Sequence, residues 1–155
     1  MMKKLLLLSI LVPFLSSCDI LWPPGGGGNG DDTATKLKGT WVWVRTEGGF
    51  FPQVHTPQST GSSATLELKS MDKYTFEQKF NIQNVPDLED FGSYKLGELN
   101  GEHTLQLSSM MARPFPIYSL ALSHELNYIK FHGNDTLELR GVGADMFNYT
   151  YVRAR

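Results

Sequence analysis

The chain has 155 residues, with 14 lysine and arginine residues against 16 aspartate and glutamate residues, and its formal net charge is −2. Nucleic-acid binding needs concentrated positive charge, whereas the basic residues here are spread singly, so the composition argues against a nucleic-acid partner. The single cysteine excludes an intramolecular disulfide. The region from residue 37 to residue 155 is within the usual size of one domain.

The N-terminus predicts a cleaved lipoprotein signal over residues 1–17. Two lysines form a positive region, residues 5–15 form an apolar run too short to span a bilayer, and small residues precede the cysteine. The segment Leu15-Ser16-Ser17-Cys18 resembles the lipobox of bacterial lipoproteins, in which the cysteine is lipidated. The alternative is an ordinary secretory signal in which a cysteine stands by chance.

Residues 18–36 are predicted to be a lipidated cysteine followed by a flexible tether, because their glycines and prolines cannot build a packed core. Several acyl chains on Cys18 would hold the chain stably at a membrane. Asp19 resembles the inner-membrane retention signal of enteric bacteria, but other bacterial groups read this region differently. We therefore expect a lipid-anchored protein of the bacterial cell envelope, with the outer membrane favoured over the inner one and the face left open.

From residue 37 to residue 155 the sequence predicts an all-β domain. Apolar and polar residues alternate with a period of two in short runs, separated by glycine, asparagine, aspartate and proline. Leu66 and Leu68, for example, share one face, and Glu67 and Lys69 share the other. No segment of useful length has a helical period. The predicted strands are residues 39–45, 64–69, 74–81, 91–96, 103–109, 117–122, 127–132, 136–140 and 147–153.

Two architectures fit eight or nine short antiparallel strands, namely a closed up-and-down β-barrel and a two-sheet sandwich. Long and short connections alternate along most of the chain, and in a meander this gathers the long loops at one end. The pattern favours a barrel shaped as a cup with one open mouth. The alternation fails at residues 133–135, where a tight turn falls on the long-loop end.

Both ends of the domain resemble the lipocalin and fatty-acid-binding superfamily. Gly39-Thr40-Trp41 opens the first strand as Gly-X-Trp does in that superfamily, and the last strand ends on Arg153, where lipocalins place a basic residue over the tryptophan. The domain is also similar to small lipocalin-like lipoproteins of Bacteroidetes-type genomes, through Leu37-Lys38-Gly39-Thr40-Trp41 and Asp135-Thr136-Leu137-Glu138-Leu139. The resemblance implies a lipocalin-like up-and-down barrel.

The pair Trp41 and Arg153 also has a physical rationale, since a guanidinium over an indole face is worth roughly 0.5 to 2 kcal/mol. We interpret Gly39, Trp41 and Arg153 as structural residues that close the barrel. The alternative comes from fatty-acid-binding relatives, in which a basic residue near the C-terminus grips a ligand carboxylate.

The sequence predicts no metal site, no cofactor and no enzyme activity. The four histidines, His55, His103, His124 and His132, stand in separate segments without metal-ligand spacing. The acidic run at residues 87–90 lacks the spacing of an EF-hand and is interpreted as a solvated loop. No serine lies in a Gly-X-Ser-X-Gly context.

The predicted function is the binding of one small apolar or amphipathic ligand in the cup. Residues 48–55 contain two glycines followed by two phenylalanines, a pattern that fits a mobile lid with an apolar underside. The alternative is that the two phenylalanines plug the end of the barrel. The alternative function is a non-catalytic module with a filled barrel that binds an envelope protein or glycan through its loops. The predicted ligand-binding residues are Phe50, Phe51, Val54, Phe115 and Tyr118.

Overall fold

The computed structural model describes residues 30–49, 53–111 and 120–155. The described residues form two short helices and one antiparallel sheet of nine strands. In chain order the elements are α1 Gly30–Leu37, β1 Gly39–Gly48, β2 Gln53–His55, α2 Pro57–Thr60, β3 Ser62–Leu68, β4 Lys73–Phe80, β5 Leu88–Leu99, β6 Glu102–Ser109, β7 Asn127–His132, β8 Thr136–Gly141 and β9 Phe147–Arg153.

The sheet closes into a barrel because β1 pairs with β3 on one edge and with β9 on the other. Trp41 lies at this closure, opposite Leu66 of β3 and Arg153 of β9. Eight strands form the ring, and β2 is an additional strand paired with the end of β1. The predicted all-β up-and-down barrel is confirmed, and the closed ring rules out the sandwich.

Alternate residues of each strand point into the barrel, as the period of two predicts. On β3 the buried positions are Ser62, Ala64, Leu66 and Leu68, and the intervening side chains are exposed or half-buried. The interior is mainly aromatic and aliphatic. Its largest fully buried apolar side chains are Trp41, Trp43, Tyr74, Tyr151, Leu37, Leu66, Leu68, Leu105, Leu137 and Leu139.

The predicted strand at residues 117–122 is not found where the structure describes it. Residues 120–122 form a turn and irregular chain, and residues 112–119 lie outside the described residues. Because β6 and β7 are antiparallel neighbours, residues 110–126 form the connection between them, and the turn at residues 133–135 lies at the end opposite to the predicted one. The alternation is then complete: the connections 69–72, 100–101 and 133–135 lie at one end, here called the turn end, and 49–61, 81–87, 110–126 and 142–146 lie at the other, the loop end.

The first long connection contains more structure than the predicted lid. Gly48 and Gly49 have φ of 127° and 85°, values that favour glycine, and β2 pairs antiparallel with the end of β1. Helix α2 follows, with a capping box between Thr56 and Ser59. It ends on Gly61 in the left-handed conformation.

All of helix α1 except Leu37 lies in the segment predicted as a flexible tether, of which residues 18–29 are outside the described residues. Asp32 and Lys36 form an i, i+4 ion pair at 2.7 Å on its exposed side. Leu37 is fully buried, and its carbonyl accepts a hydrogen bond of 2.8 Å from Trp41 Nε1. The helix is therefore tied to the barrel by its last residue. Among the described residues, no helix is long and apolar enough to cross a membrane.

Candidate ligand site inside the loop end of the barrel

The interior at the turn end is closely packed. Trp41, Leu66 and Leu137 are fully buried, and Trp43 has 1 % of its surface exposed. The Trp41 ring meets the Phe131 ring at a centroid distance of 6.3 Å. Large aromatic side chains thus fill this half of the barrel, as an eight-stranded ring permits.

Towards the loop end, residues 120–124 leave the long connection and cross the barrel interior; we call them the crossing segment. On the β1 and β9 side, Thr46 Oγ1 donates a hydrogen bond to the Leu120 carbonyl and the Tyr151 hydroxyl donates to the Ala121 carbonyl. Ala121 is fully buried and Leu122 is 5 % exposed. The segment is therefore held to this wall by side-chain donors on the strands.

At its other end the crossing segment reaches the opposite wall through His124. His124 Nε2 lies 2.7 Å from Asp90 Oδ2, and the same oxygen accepts a hydrogen bond of 2.7 Å from the Tyr74 hydroxyl. Ser109 Oγ donates to Asp90 Oδ1 at 2.5 Å. Tyr74, Asp90, Ser109 and His124 are called the Asp90 cluster below. It joins β4, β5, β6 and the crossing segment around one carboxylate.

The pleat of β5 explains why Asp90 points inward. Asp90, Gly92 and Tyr94 are all buried, and the residues between them face outward or lie half-buried. Gly92 provides the room that the cluster needs, because a Cβ there would stand 3.0 Å from Tyr74 Cε1 and 2.0 Å from the Ser108 carbonyl oxygen. Gly92, two residues after Asp90 on the same face of β5, thus lets the Tyr74 ring lie across this strand.

The cluster stabilises an ionised carboxylate in a largely apolar interior. Burial alone would raise the pKa of Asp90, but the hydrogen bonds from Ser109, Tyr74 and His124 outweigh burial and hold this pKa below its usual value. Burial, and then the hydrogen bond to Asp90, raise the pKa of Tyr74 far above its usual range, so its hydroxyl keeps the proton that it donates. Burial likewise raises the pKa of Tyr149, on the β9 wall, to about 12.

The geometry of the cluster suits binding better than nucleophilic chemistry. Ser109 Oγ donates its hydrogen to Asp90, whereas an activated serine would donate to a histidine base. Ser109 Oγ also accepts a hydrogen bond from the Met111 amide at 3.1 Å. Within the described part of the chain, no group of three or more histidine, cysteine, aspartate or glutamate side chains could hold a metal ion.

In the part of the barrel wall that the described residues form, there is a gap beside the cluster. β6 pairs with β7 through Thr104 and Leu105, whereas the rest of β6, residues 106–109, pairs with β5 on its other side and with no described strand on this one. The long connection 110–126 starts and ends at this gap. Ser109, at the rim of the gap, is the residue that hydrogen-bonds Asp90.

Most of the predicted ligand-binding residues lie outside the described residues, namely Phe50, Phe51, Phe115 and Tyr118, and so does Cys18. Val54 is described and does not face the interior: it lies in β2 opposite Glu47, with 54 % of its surface exposed.

The three residues predicted to close the barrel lie together at the turn end. The Arg153 guanidinium carbon lies 4.2 Å from the centroid of the Trp41 ring, and its nitrogens donate to the carbonyls of Lys36, Lys38 and Asn134. Gly39 has a φ of 129°, and a Cβ there would stand 2.8 Å from Arg153 Nη1. Arg153 therefore connects α1, β1 and the β7–β8 turn.

The interpretation of residues 87–90 as a solvated loop is wrong from Leu88 onward, since β5 begins at Leu88 and Asp90 is 8 % exposed. A signal was present in the sequence: counting back by twos from Tyr94 gives Gly92 and Asp90 on the same face. The contact with His124 had no such signal, because it depends on how a long connection crosses the barrel.

Comparisons with known proteins give a limited result. No family model matches the chain, and no curated protein matches it. Among solved structures, the chain is similar to a de novo designed fluorescence-activating β-barrel at 13 % identity, with a TM-score of 0.44, covering 79 % of this chain and 98 % of that one.

Proposed function

We propose that this protein is a lipid-anchored, lipocalin-like barrel of the bacterial cell envelope that holds one small apolar or amphipathic ligand at the loop end of its interior. The observation that carries the proposal is the Asp90 cluster. Ligand sites in proteins combine apolar walls with a few convergent polar groups, and perturbed pKa values are common at functional sites. Tyr74 and Asp90 meet both descriptions.

The cost of burying a charge supports the same proposal. An ionised carboxylate is expensive to bury unless it is paired and hydrogen-bonded, and apolar residues of similar size often stabilise a core better. Asp90 is ionised and 8 % exposed in a barrel otherwise lined by aromatic and aliphatic side chains.

The activity that we propose is binding without catalysis, with no cofactor. Its support is that the Ser109 hydroxyl is committed to Asp90, so that the cluster does not contain an activated nucleophile.

The membrane anchor rests on the sequence, through Cys18 and the apolar run before it. Expression of the full chain in a bacterial host with labelled palmitate should label the native protein and place it in the membrane fraction, with the outer membrane favoured. A Cys18→Ser variant should lose the label. Label that persists in this variant would contradict lipidation at Cys18.

Native mass spectrometry of the purified full chain, titrated with a mixed lipid extract, tests ligand binding. We expect a one-to-one adduct that disappears on competition. If Phe50 and Phe51 line the site, replacing both with serine should weaken the adduct, and replacing the exposed Met71 with serine is the matched control. A folded chain without any adduct would contradict the proposed function.

The second candidate function is a non-catalytic module that binds an envelope protein or glycan through its loops. The observation that favours it is that side chains fill the interior: aromatic side chains at the turn end, and Ala121 and Leu122 towards the loop end. This candidate predicts that the lipid extract produces no adduct.

A further inference from the structure

We infer that Asp90 is the anchor for the positively charged head of an amphipathic ligand, an ammonium group that takes the place of His124. This inference rests on the proposed function and adds the chemical class of the ligand. It follows from the partners of Asp90, the charge of the barrel interior and the position of the cluster at the loop end.

The partners of Asp90 differ in how firmly they are placed. Tyr74 and Ser109 stand on β4 and β6, which flank β5 on both sides and pair with it in regular register. His124 stands on the crossing segment, and 29 % of its side chain remains exposed. Tyr74 and Ser109 are therefore held in place by the sheet on either side of the Asp90 carboxylate. The His124 imidazole is the partner that a ligand can replace.

The replacing group must be a hydrogen-bond donor, and a positive charge is favoured. His124 Nε2 and an ammonium nitrogen both reach a carboxylate at about 2.7–2.9 Å, and charge-assisted hydrogen bonds are roughly twice as strong as neutral ones. A carboxylate ligand carries the same charge as Asp90, and the repulsion between the two is strong because the site is largely shielded from water. The site therefore selects an amine over a fatty acid.

The rest of the interior is consistent with a donor-bearing ligand. The other buried polar side chains of the described residues are neutral, namely Thr46, Ser62, Gln78, Thr104 and Asn127. Asn127 Oδ1 is a buried acceptor for which the described residues provide no donor. Such an acceptor is costly unless something donates to it. The interior thus offers one negative charge and one further acceptor.

The position of the cluster orients the ligand. Ser109 is the last residue of β6, at the loop end, and contacts Asp90, so the ammonium group would lie at this carboxylate. The apolar tail would then lie against the residues that now contact the crossing segment, such as Tyr151. Movement of residues 120–124 away from this wall would make the space.

The test is isothermal titration calorimetry of the purified full chain with three probes of equal tail length: octylamine, octanol and octanoate. At neutral pH we expect octylamine to bind at least about tenfold more tightly than octanoate, with octanol between them. Asp90→Asn should remove this preference. Glu89→Gln removes the neighbouring carboxylate on the outer face and should leave the preference unchanged.

A second variant separates replacement of His124 from a merely structural role. His124→Ala should bind octylamine as tightly as the unmodified chain or more tightly, because the competing partner has gone. Loss of octylamine binding in this variant, with an unchanged melting temperature, would overturn the inference. So would equal affinities of the unmodified chain for octylamine and octanoate, a comparison that does not depend on whether any variant folds.

The failure of this inference is distinguishable from failure of the proposed function. If the lipid extract gives an adduct but octylamine is not preferred, the barrel binds ligands and the assignment of Asp90 is wrong. If neither the extract nor any octyl probe binds, the proposed function itself is wrong.

Discussion

Asp90 couples the stability of the barrel to pH. Its folded pKa lies below the unfolded value of 3.8, so folding favours the ionised carboxylate. The stabilisation is therefore fully present above the unfolded pKa and is lost as the pH falls through the folded pKa. In urea denaturation, the free energy of unfolding should fall more steeply below pH 4 for the unmodified chain than for Asp90→Asn. Parallel pH profiles would contradict this account of the cluster.

At neutral pH the Asp90→Asn variant should also be less stable, by about 1 to 3 kcal/mol, because it disturbs a buried hydrogen-bond network. Glu89→Gln is the control, since Glu89 faces outward on the same strand.

At position 92 the cluster leaves no room for a side chain. A methyl group there would meet the Ser108 carbonyl oxygen at 2.0 Å, and backbone cannot move aside as a side chain can. Gly92→Ala should destabilise the barrel by about 1 to 3 kcal/mol, as overpacking does, measured by thermal and urea unfolding. In the control Gly97→Ala, the new methyl group meets the Thr104 hydroxyl at 3.0 Å. Equal stability of the two variants would show that β5 adjusts freely at Gly92.

At the scale of the elements, the hydrophobic pattern predicted most strands because each has one face inside the barrel. β7 and β9 begin and end where the alternation does, at Asn127–His132 and Phe147–Arg153. The start of β5 was predicted too late because an acidic residue stands at an inward position.

The predicted strand at residues 117–122 shows why part of the site could not be predicted. Ala121 and Leu122 are apolar because they are buried inside the barrel, in a turn and irregular chain that pairs with no described strand. A segment that crosses the barrel interior and a strand with one buried face can both appear in a sequence as a short apolar run, so the pattern does not distinguish them. The contacts to Asp90 and Tyr151 are long-range and leave no local pattern.

The crossing segment should loosen when one of its strand donors is removed. Tyr151→Phe deletes the hydroxyl that donates to the buried Ala121 carbonyl and should cost about 0.5 to 1.5 kcal/mol, the usual net contribution of one hydrogen bond. Hydrogen exchange should become faster at residues 121–124 than in the unmodified chain. Tyr128→Phe is the control, because the Tyr128 hydroxyl only accepts a weak, exposed hydrogen bond of 3.4 Å from Asn100. Unchanged exchange in Tyr151→Phe would show that packing alone holds the segment.

At the scale of the whole molecule, the pairing of β1 with β9 closes the ring, and we predict that Arg153, at the end of this pairing, contributes to the closure. Lysine keeps the charge but lacks the planar fork that reaches several carbonyls at once. Arg153→Lys should therefore lower the free energy of unfolding by about 1 to 2 kcal/mol. Arg155→Lys, two residues later and exposed, should have no effect. Equal free energies of unfolding for the two variants would show that Arg153 does not contribute to the closure.

The proposed function depends on whether the loop end of the barrel admits a ligand, and NMR of the labelled full chain tests this most directly. Amide shifts would be followed in separate titrations with octylamine, octanol and octanoate. We predict saturable shifts, largest with octylamine, at Gly92, Ser109 and His124 inside the barrel, and none at Thr65, Glu77 and Phe91 on the outer face. Shifts confined to the outer face, or no saturable shift with any probe, would contradict an interior ligand site.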